Sequence, residues 1–100
     1  MSRYLLTSEA EQDLDLIKAW CLEQGGPPLA RHVLDRLRRG MALLGRRPGV
    51  GHLRPDLTGE AVKFWRVFSY LIIYDPEPRP MHILRVLHGS RDVAAILRPI

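Results

Sequence analysis

Four consecutive residues, Gly25-Gly26-Pro27-Pro28, constrain the fold of this chain more than any other stretch. Glycine ends a helix cheaply because it adopts the left-handed cap conformation. Proline is tolerated in the first turn of a helix and not in its interior. The tetrapeptide therefore closes one helix and opens the next. Before it, Ala10, Leu14, Ile17 and Cys21 recur at helical spacing, and Trp20 widens the stripe. After it, Ala30, Val33, Leu34, Leu37, Met41 and Leu44 form a second stripe, with Arg31, Asp35, Arg36, Arg38 and Arg39 mostly off it. Two amphipathic helices joined by a tight turn are expected to pack as an antiparallel hairpin. Their apolar faces then need a second layer to cover them.

The rest of the chain supplies that layer as strands. Tyr4-Leu5-Leu6 reads as a short first strand. Ser8, with Glu11 three residues on, fits a capping box for the first helix. Glu9, Glu11, Asp13 and Asp15 place negative charge near the positive end of its dipole. Gly40 costs the second helix roughly 1 kcal/mol of propensity, which a close approach to the first helix would explain. Gly45 to Glu60 is a long connection rich in Gly, Pro and Arg, and connections of that length often carry function. Three strands follow: Val62 to Phe68, Tyr70 to Tyr74 and Met81 to His88. The second is almost wholly apolar, as a central strand covered on both faces should be. Ser69-Tyr70 allows a tight hairpin, and Asp75 to Pro80 is a proline-punctuated turn. Ser90 is placed to cap a last helix with Val93, Ile96 and Leu97 inward and Pro99 at its end. The expected fold is α+β, in the order β-α-α-β-β-β-α, an antiparallel sheet packed against the helical hairpin.

With 100 residues the chain suits one domain spanning residues 1–100. No apolar run approaches the ~20 residues that span a bilayer, and the first residues lack a signal-peptide pattern. A cytoplasmic protein without membrane contact is the expectation. Cys21 is the sole cysteine and lies on an apolar stripe, where a small buried hydrophobe is its expected role. The net charge of +4, carried mostly by arginine, suits a nucleic-acid ligand or an acidic protein partner.

Motifs for chemistry are sparse. His32, His52, His82 and His88 are scattered, with no metal-ligand spacing, so no metal or other cofactor is expected. Gly49-Val50-Gly51 is too short for a phosphate loop and reads as plain loop. His88 could act as an acid or base, but it needs a positioned partner, and a turn residue bonded to backbone is the simpler reading. Arg54, Lys63, Arg66, Arg85 and Arg91 could form a basic patch, except that Lys63 and Arg66 have opposite parity on one strand and should face opposite ways. Arg91 with Asp92 reads as a surface pair. Trp20 and Trp65 are expected to anchor the core.

An ordered set of residues carries a resemblance over almost the whole chain. It starts at Tyr4 and Leu6-Thr7-Ser8-Glu9-Ala10, then takes in Asp13-Leu14, Ile17, Pro48, Gly51 and Leu57. Arg66, Tyr70, Ile73-Tyr74 and the closing Arg85-Val86-Leu87-His88-Gly89 with Arg91-Asp92 complete it. The set resembles small bacterial toxins of the ParE/RelE superfamily, closer to ParE. The resemblance implies the same β-α-α-β-β-β-α fold and a cognate antitoxin that wraps and neutralises the toxin. RelE-like members are ribosome-dependent mRNA endonucleases, whereas ParE-like members poison DNA gyrase.

The nuclease pattern can be laid on this chain residue by residue. The arginine that follows the third-strand tyrosine in RelE-like enzymes falls on Leu71, and the tyrosine of the last helix falls near Leu97. The second-strand lysines fall near Val62 and Phe64, with Lys63 out of phase, and only the arginine after the glycine turn is kept, as Arg91. Leucine neither moves protons nor stabilises a phosphorane, and each lost member of such a cluster typically costs ~2.7–4 kcal/mol of transition-state stabilisation. The resemblance therefore implies a gyrase inhibitor that acts by binding and is not itself an enzyme. Arg85, His88, Arg91 and Asp92, with the last helix, Val93 to Ile100, and its Ile96 and Leu97, are the candidate target contacts. The alternatives are a ribosome-dependent mRNA interferase using Lys63, Arg66, His88 and Arg91, and an inactive antitoxin-binding or regulatory module.

Overall fold

A computed structural model describes residues 3–98. The element order is β1 (Tyr4–Leu6), α1 (Ser8–Arg46), a 3-10 turn (Pro48–Val50), β2 (Lys63–Val67), β3 (Tyr70–Asp75), β4 (Met81–His88) and α2 (Val93–Leu97). The long helix is not straight. Its 39 residues would span about 58 Å at ~1.5 Å per residue, yet the molecule is only 37 Å along its longest axis. The chain turns back at Gly26, whose φ of 71° and ψ of −169° lie outside the helix. Leu14 and Lys18 of the first arm then meet Leu34 and Arg38 of the second. This is the expected hairpin, with the break at the second glycine.

The sheet order is β1-β4-β3-β2. β2, β3 and β4 are antiparallel neighbours. β1 pairs with β4 in parallel, Tyr4 opposite Met81 and Leu6 opposite Ile83, so the sheet is mixed and not wholly antiparallel. The reason is the connection: the helical hairpin, β2 and β3 all lie between β1 and β4, so the two strands are not joined by a tight turn and are free to pair in parallel.

Both faces of the sheet are covered, as the apolar β3 requires. The hairpin closes one face, where Leu37, Met41, Leu44, Ile72, Tyr74 and Ile83 form the main core. On the other face Phe64, Ile73, Leu87 and Val93 form a second core, with Leu57, Leu71, Ile96 and Leu97 packed against it. The described part of α2 and the segment before β2 are its cover. Gly40 does mark a close approach, but to the sheet: a Cβ there would lie 2.9 Å from Val67 Cγ2 and 3.2 Å from Ile72 Cδ1.

Several local expectations shift by a residue or two. The first helix is capped by Thr7, whose hydroxyl accepts from Ala10 N–H at 3.1 Å; Ser8 instead donates to Glu9. Asp92, not Ser90, caps α2 by accepting from Ala95 N–H at 3.1 Å. Pro99, the expected end of that helix, lies outside the described residues. Trp20 is 53% exposed and anchors no core. Cys21 is buried, as expected, and burial pushes its thiol pKa up. The first part of the long connection is tied down: Tyr74 donates its hydroxyl to Pro48 O at 2.7 Å and accepts from Gly51 N–H at 2.9 Å.

Candidate functional site

β1 pairs with β4 only as far as Ile83, which leaves the outer edge of β4 without a strand. The start of α1 takes its place. Thr7 N–H donates to Ile83 O at 3.1 Å and its hydroxyl donates to Leu84 O at 2.8 Å. Opposite Ile73 and Tyr74 the pairing register skips Leu84, a bulge that re-aims the rest of β4. Asp13 then completes the edge by accepting from Val86 N–H at 3.0 Å. Its two oxygens also take the Arg85 fork, at 2.7 Å from Nε and 2.9 Å from Nη2. Asp13 is therefore turned inward and is not one of the dipole-facing acids, of which Glu9 and Glu11 occupy the first turn. The Asp13 hydrogen bonds raise the Arg85 pKa above its ordinary value. The guanidinium edge that could fork a partner's carboxylate or phosphate is thus engaged inside the fold.

Beyond this pair β4 ends in the segment His88-Gly89-Ser90-Arg91. His88 Nδ1 accepts from Ser90 N–H at 3.0 Å and lies 2.6 Å from Ser90 Oγ. An acceptor role for Nδ1 puts the proton of neutral His88 on Nε2. Its ring meets Tyr70 edge-on at 5.3 Å. The turn-residue reading of His88 is what the geometry shows, with Ser90 and Tyr70 holding the ring. Arg91 is exposed, and its guanidinium makes no ion pair among the described residues. Asp92 is occupied as the cap of α2, so no Arg91–Asp92 pair forms.

Two grooves meet at His88, Ser90 and Arg91. The first, about 370 Å³, runs toward the first arm of α1 and is floored by Ile17, Tyr70 and Val86, with Leu16 and Trp20 on its rim. Leu16 is 66% exposed, so this rim is an apolar surface facing solvent. The second, about 440 Å³, lies on the opposite face and brings Arg54 and Arg66 to His88 and Arg91, with Leu57 and Leu71 between them. Its charge is less available than a count suggests. Arg54 is forked onto Asp56 at 3.0 and 2.8 Å, which lowers the Asp56 pKa and raises its own. Arg66 Nε donates to Phe68 O at 2.9 Å.

Of the four residues weighed for nuclease chemistry, Arg66, His88 and Arg91 line this second groove and Lys63 does not. Lys63 points to the other face, toward the Gly49 and Gly51 carbonyls at 3.5 and 3.4 Å, as its parity implied. Leu71 and Leu97 are packed against the second core. Ile96, a target-contact candidate with Leu97, is half-buried against the same cluster. The part of that candidate segment at Pro99 and Ile100 lies outside the described residues. The sequence assigns Asp13 to the helix dipole and does not show its pairing with Arg85, although an acid between Ala10 and Ile17 on the apolar side was the available signal.

Among the described residues no helix is long and apolar enough to cross a membrane. The family profile described as the ParE toxin of type II toxin-antitoxin system, parDE, matches residues 4–93. A solved chain described as the chromosomal ParDE TA system from P. aeruginosa superposes with a TM-score of 0.71 at 19% identity, over 85% of this chain and 92% of that one. No curated relative matches the sequence. The structural likeness, at that identity, speaks for the fold, and the profile match over most of the chain speaks for the family. With the ordered residues from Tyr4 to Val93 now placed on an α+β fold, the chain belongs to the ParE toxin family of type II toxin–antitoxin systems.

Proposed function

We propose that this toxin inhibits DNA gyrase by binding, without chemistry of its own, and is held inactive in the cytoplasm by a cognate antitoxin. The observation that carries the reading is the second core. A nuclease of this fold needs fixed charge on the sheet face opposite the hairpin, and here Leu71 and Leu97 sit there against Phe64, Ile73, Leu87 and Val93. The third-strand arginine and last-helix tyrosine are both replaced by leucine, and loss of one such member alone typically costs ~2.7–4 kcal/mol, about 10²–10³ in rate. Arg66 and Arg91 alone do not offset it.

Target contact falls to the exposed Arg91, to His88 beside it and to the Ile96–Leu97 side of α2. Arg85 and Asp92 support that surface from within, one through Asp13 and the other through the α2 cap. The antitoxin is expected to lay an amphipathic, acidic segment over Leu16 and Trp20, its carboxylates toward Arg91. Exposed apolar surface with a basic rim suits such a partner.

Induced expression without the antitoxin, followed by labelled-precursor incorporation, tests the proposal. DNA synthesis should stop first, and co-expression of the antitoxin should restore it. Protein synthesis stopping first, with cleaved message, would support the interferase reading on Lys63, Arg66, His88 and Arg91 instead. Unimpaired growth would support a regulatory module.

A further inference from the structure

The β2–β3 turn presents an aromatic ring that neither local conformation nor burial accounts for. Val67 and Tyr70 close a two-residue hairpin. Phe68 takes its first position with φ at 55°, the sole non-glycine residue with positive φ among those described. Turns with a positive φ at that position favour glycine, because a Cβ there is strained. The ring gains little in return, since Phe68 is 46% exposed. A residue that breaks both rules at once is a candidate for function.

Its surroundings say which. The Arg36 guanidinium lies over the ring, 5.0 Å from its centroid, and the His32 ring is 5.6 Å away at a tilt of 42°. Arg66 holds the Phe68 carbonyl. The Ser69 carbonyl, next in the turn, accepts from Gly89 N–H at 2.7 Å, which ties the turn to the segment bearing Arg91. The groove that joins Ser69, Arg66 and Arg91 has no acidic residue in its lining. An exposed ring with one arginine resting on it and another at its carbonyl suits single-stranded nucleic acid: a base takes the place of the Arg36 guanidinium on the ring, and the released cation turns to the phosphates.

We propose that the Phe68 turn is a stacking platform for one unpaired base, with Arg36 and Arg66 contacting the adjoining phosphates, so that this toxin binds single-stranded nucleic acid directly. An acidic peptide would satisfy the arginines but would not use the ring face. The inference does not rest on gyrase being the target, and either can fail alone.

The test is fluorescence anisotropy of the full chain with a labelled oligothymidylate of about 12 nucleotides, across a salt series. Phe68→Gly removes the ring and suits the positive φ, so it should fold at least as well as the parent. It should weaken binding by about tenfold or more, as loss of one stacked base does. Phe68→Trp should retain binding and show indole quenching on addition of the unlabelled oligonucleotide. Arg36→Gln and Arg66→Gln should each flatten the salt dependence by about 0.7 in log–log slope. Leu53→Ala, which trims another exposed apolar side chain, should change nothing. Undetectable binding at low salt, full binding by Phe68→Gly, or equal displacement of the probe by polyglutamate would each overturn the proposal.

Discussion

Replacing Asp13 by alanine should cost this domain much of its stability, and the structure indicates how much. Asp13 receives three hydrogen bonds, two from the Arg85 guanidinium and one from Val86 N–H. Its side chain is 4% exposed, whereas that of Arg85 is 25% exposed. Removing one partner of a fully buried pair typically costs about 3–5 kcal/mol, because the other charge is stranded. Here the stranded guanidinium can still reach water, which lowers that cost. The orphaned Val86 N–H adds back about 1–3 kcal/mol. The net expectation for Asp13→Ala is about 3 kcal/mol. Arg85→Ala strands the more deeply buried carboxylate and should cost about 4 kcal/mol. Against a total of about 5–15 kcal/mol for a domain, either loss is severe. Urea unfolding followed by circular dichroism measures both, and the double variant closes the cycle. The coupling between the two sites should fall at about 1–3 kcal/mol. A loss below about 0.5 kcal/mol for Asp13→Ala would mean an ordinary surface pair, and the account of the β4 edge would be refuted.

Four further outcomes are expected. Thr7→Ala should cost about 1–2 kcal/mol through the lost cap, while Ser8→Ala should stay within about 0.5 kcal/mol in the same unfolding assay. Gly40→Ala should destabilise by about 1–3 kcal/mol despite its better helix propensity, because the new methyl meets Val67 and Ile72; a stabilised variant would contradict the packing. Tyr74→Phe should cost about 1–3 kcal/mol and loosen the 3-10 turn, read as faster amide exchange at Gly51, whose N–H loses its acceptor. Burial raises the pKa values of Tyr70, Tyr74 and Cys21. The unfolded chain therefore loses these protons first, so stability is full below about pH 9 and falls as pH rises through about 9–10 and above. Urea midpoints at pH 8 and 10.5 would show it, and a flat profile would count against the buried hydroxyls.

Much of the fold was legible because its signals are local. The Gly-Pro break, the apolar β3 and the turn before β4 each act within a few residues, and each falls where expected. The misreadings share one cause, a partner distant in sequence. Three residues of β1 cannot announce that they pair in parallel with Met81–Ile83. Thr7 and Ser8 are both adequate caps by type, and Leu84, which takes the Thr7 hydroxyl, decides between them. Asp13 looks like helix-dipole charge until Arg85 arrives from β4. Trp20 lies at the margin of its stripe, where a small rotation of the helix decides whether it packs or faces water. The candidate site was legible in part. The segment His88 to Asp92 can be picked out in the sequence, but which of its charges stay free depends on contacts the segment does not contain. Phe68 is invisible as a platform in sequence because neither its φ nor its neighbours on α1 can be read there.

The most direct test of the central reading is a purified gyrase reaction on plasmid DNA. Toxin is titrated in and the products are denatured with detergent and protease to reveal broken strands. Binding to gyrase with a trapped cleavage complex should block supercoiling and build up linear plasmid in proportion to toxin. Antitoxin added first should abolish both effects. Normal supercoiling at every toxin concentration, from a preparation that cleaves mRNA in a translating extract, would contradict the account.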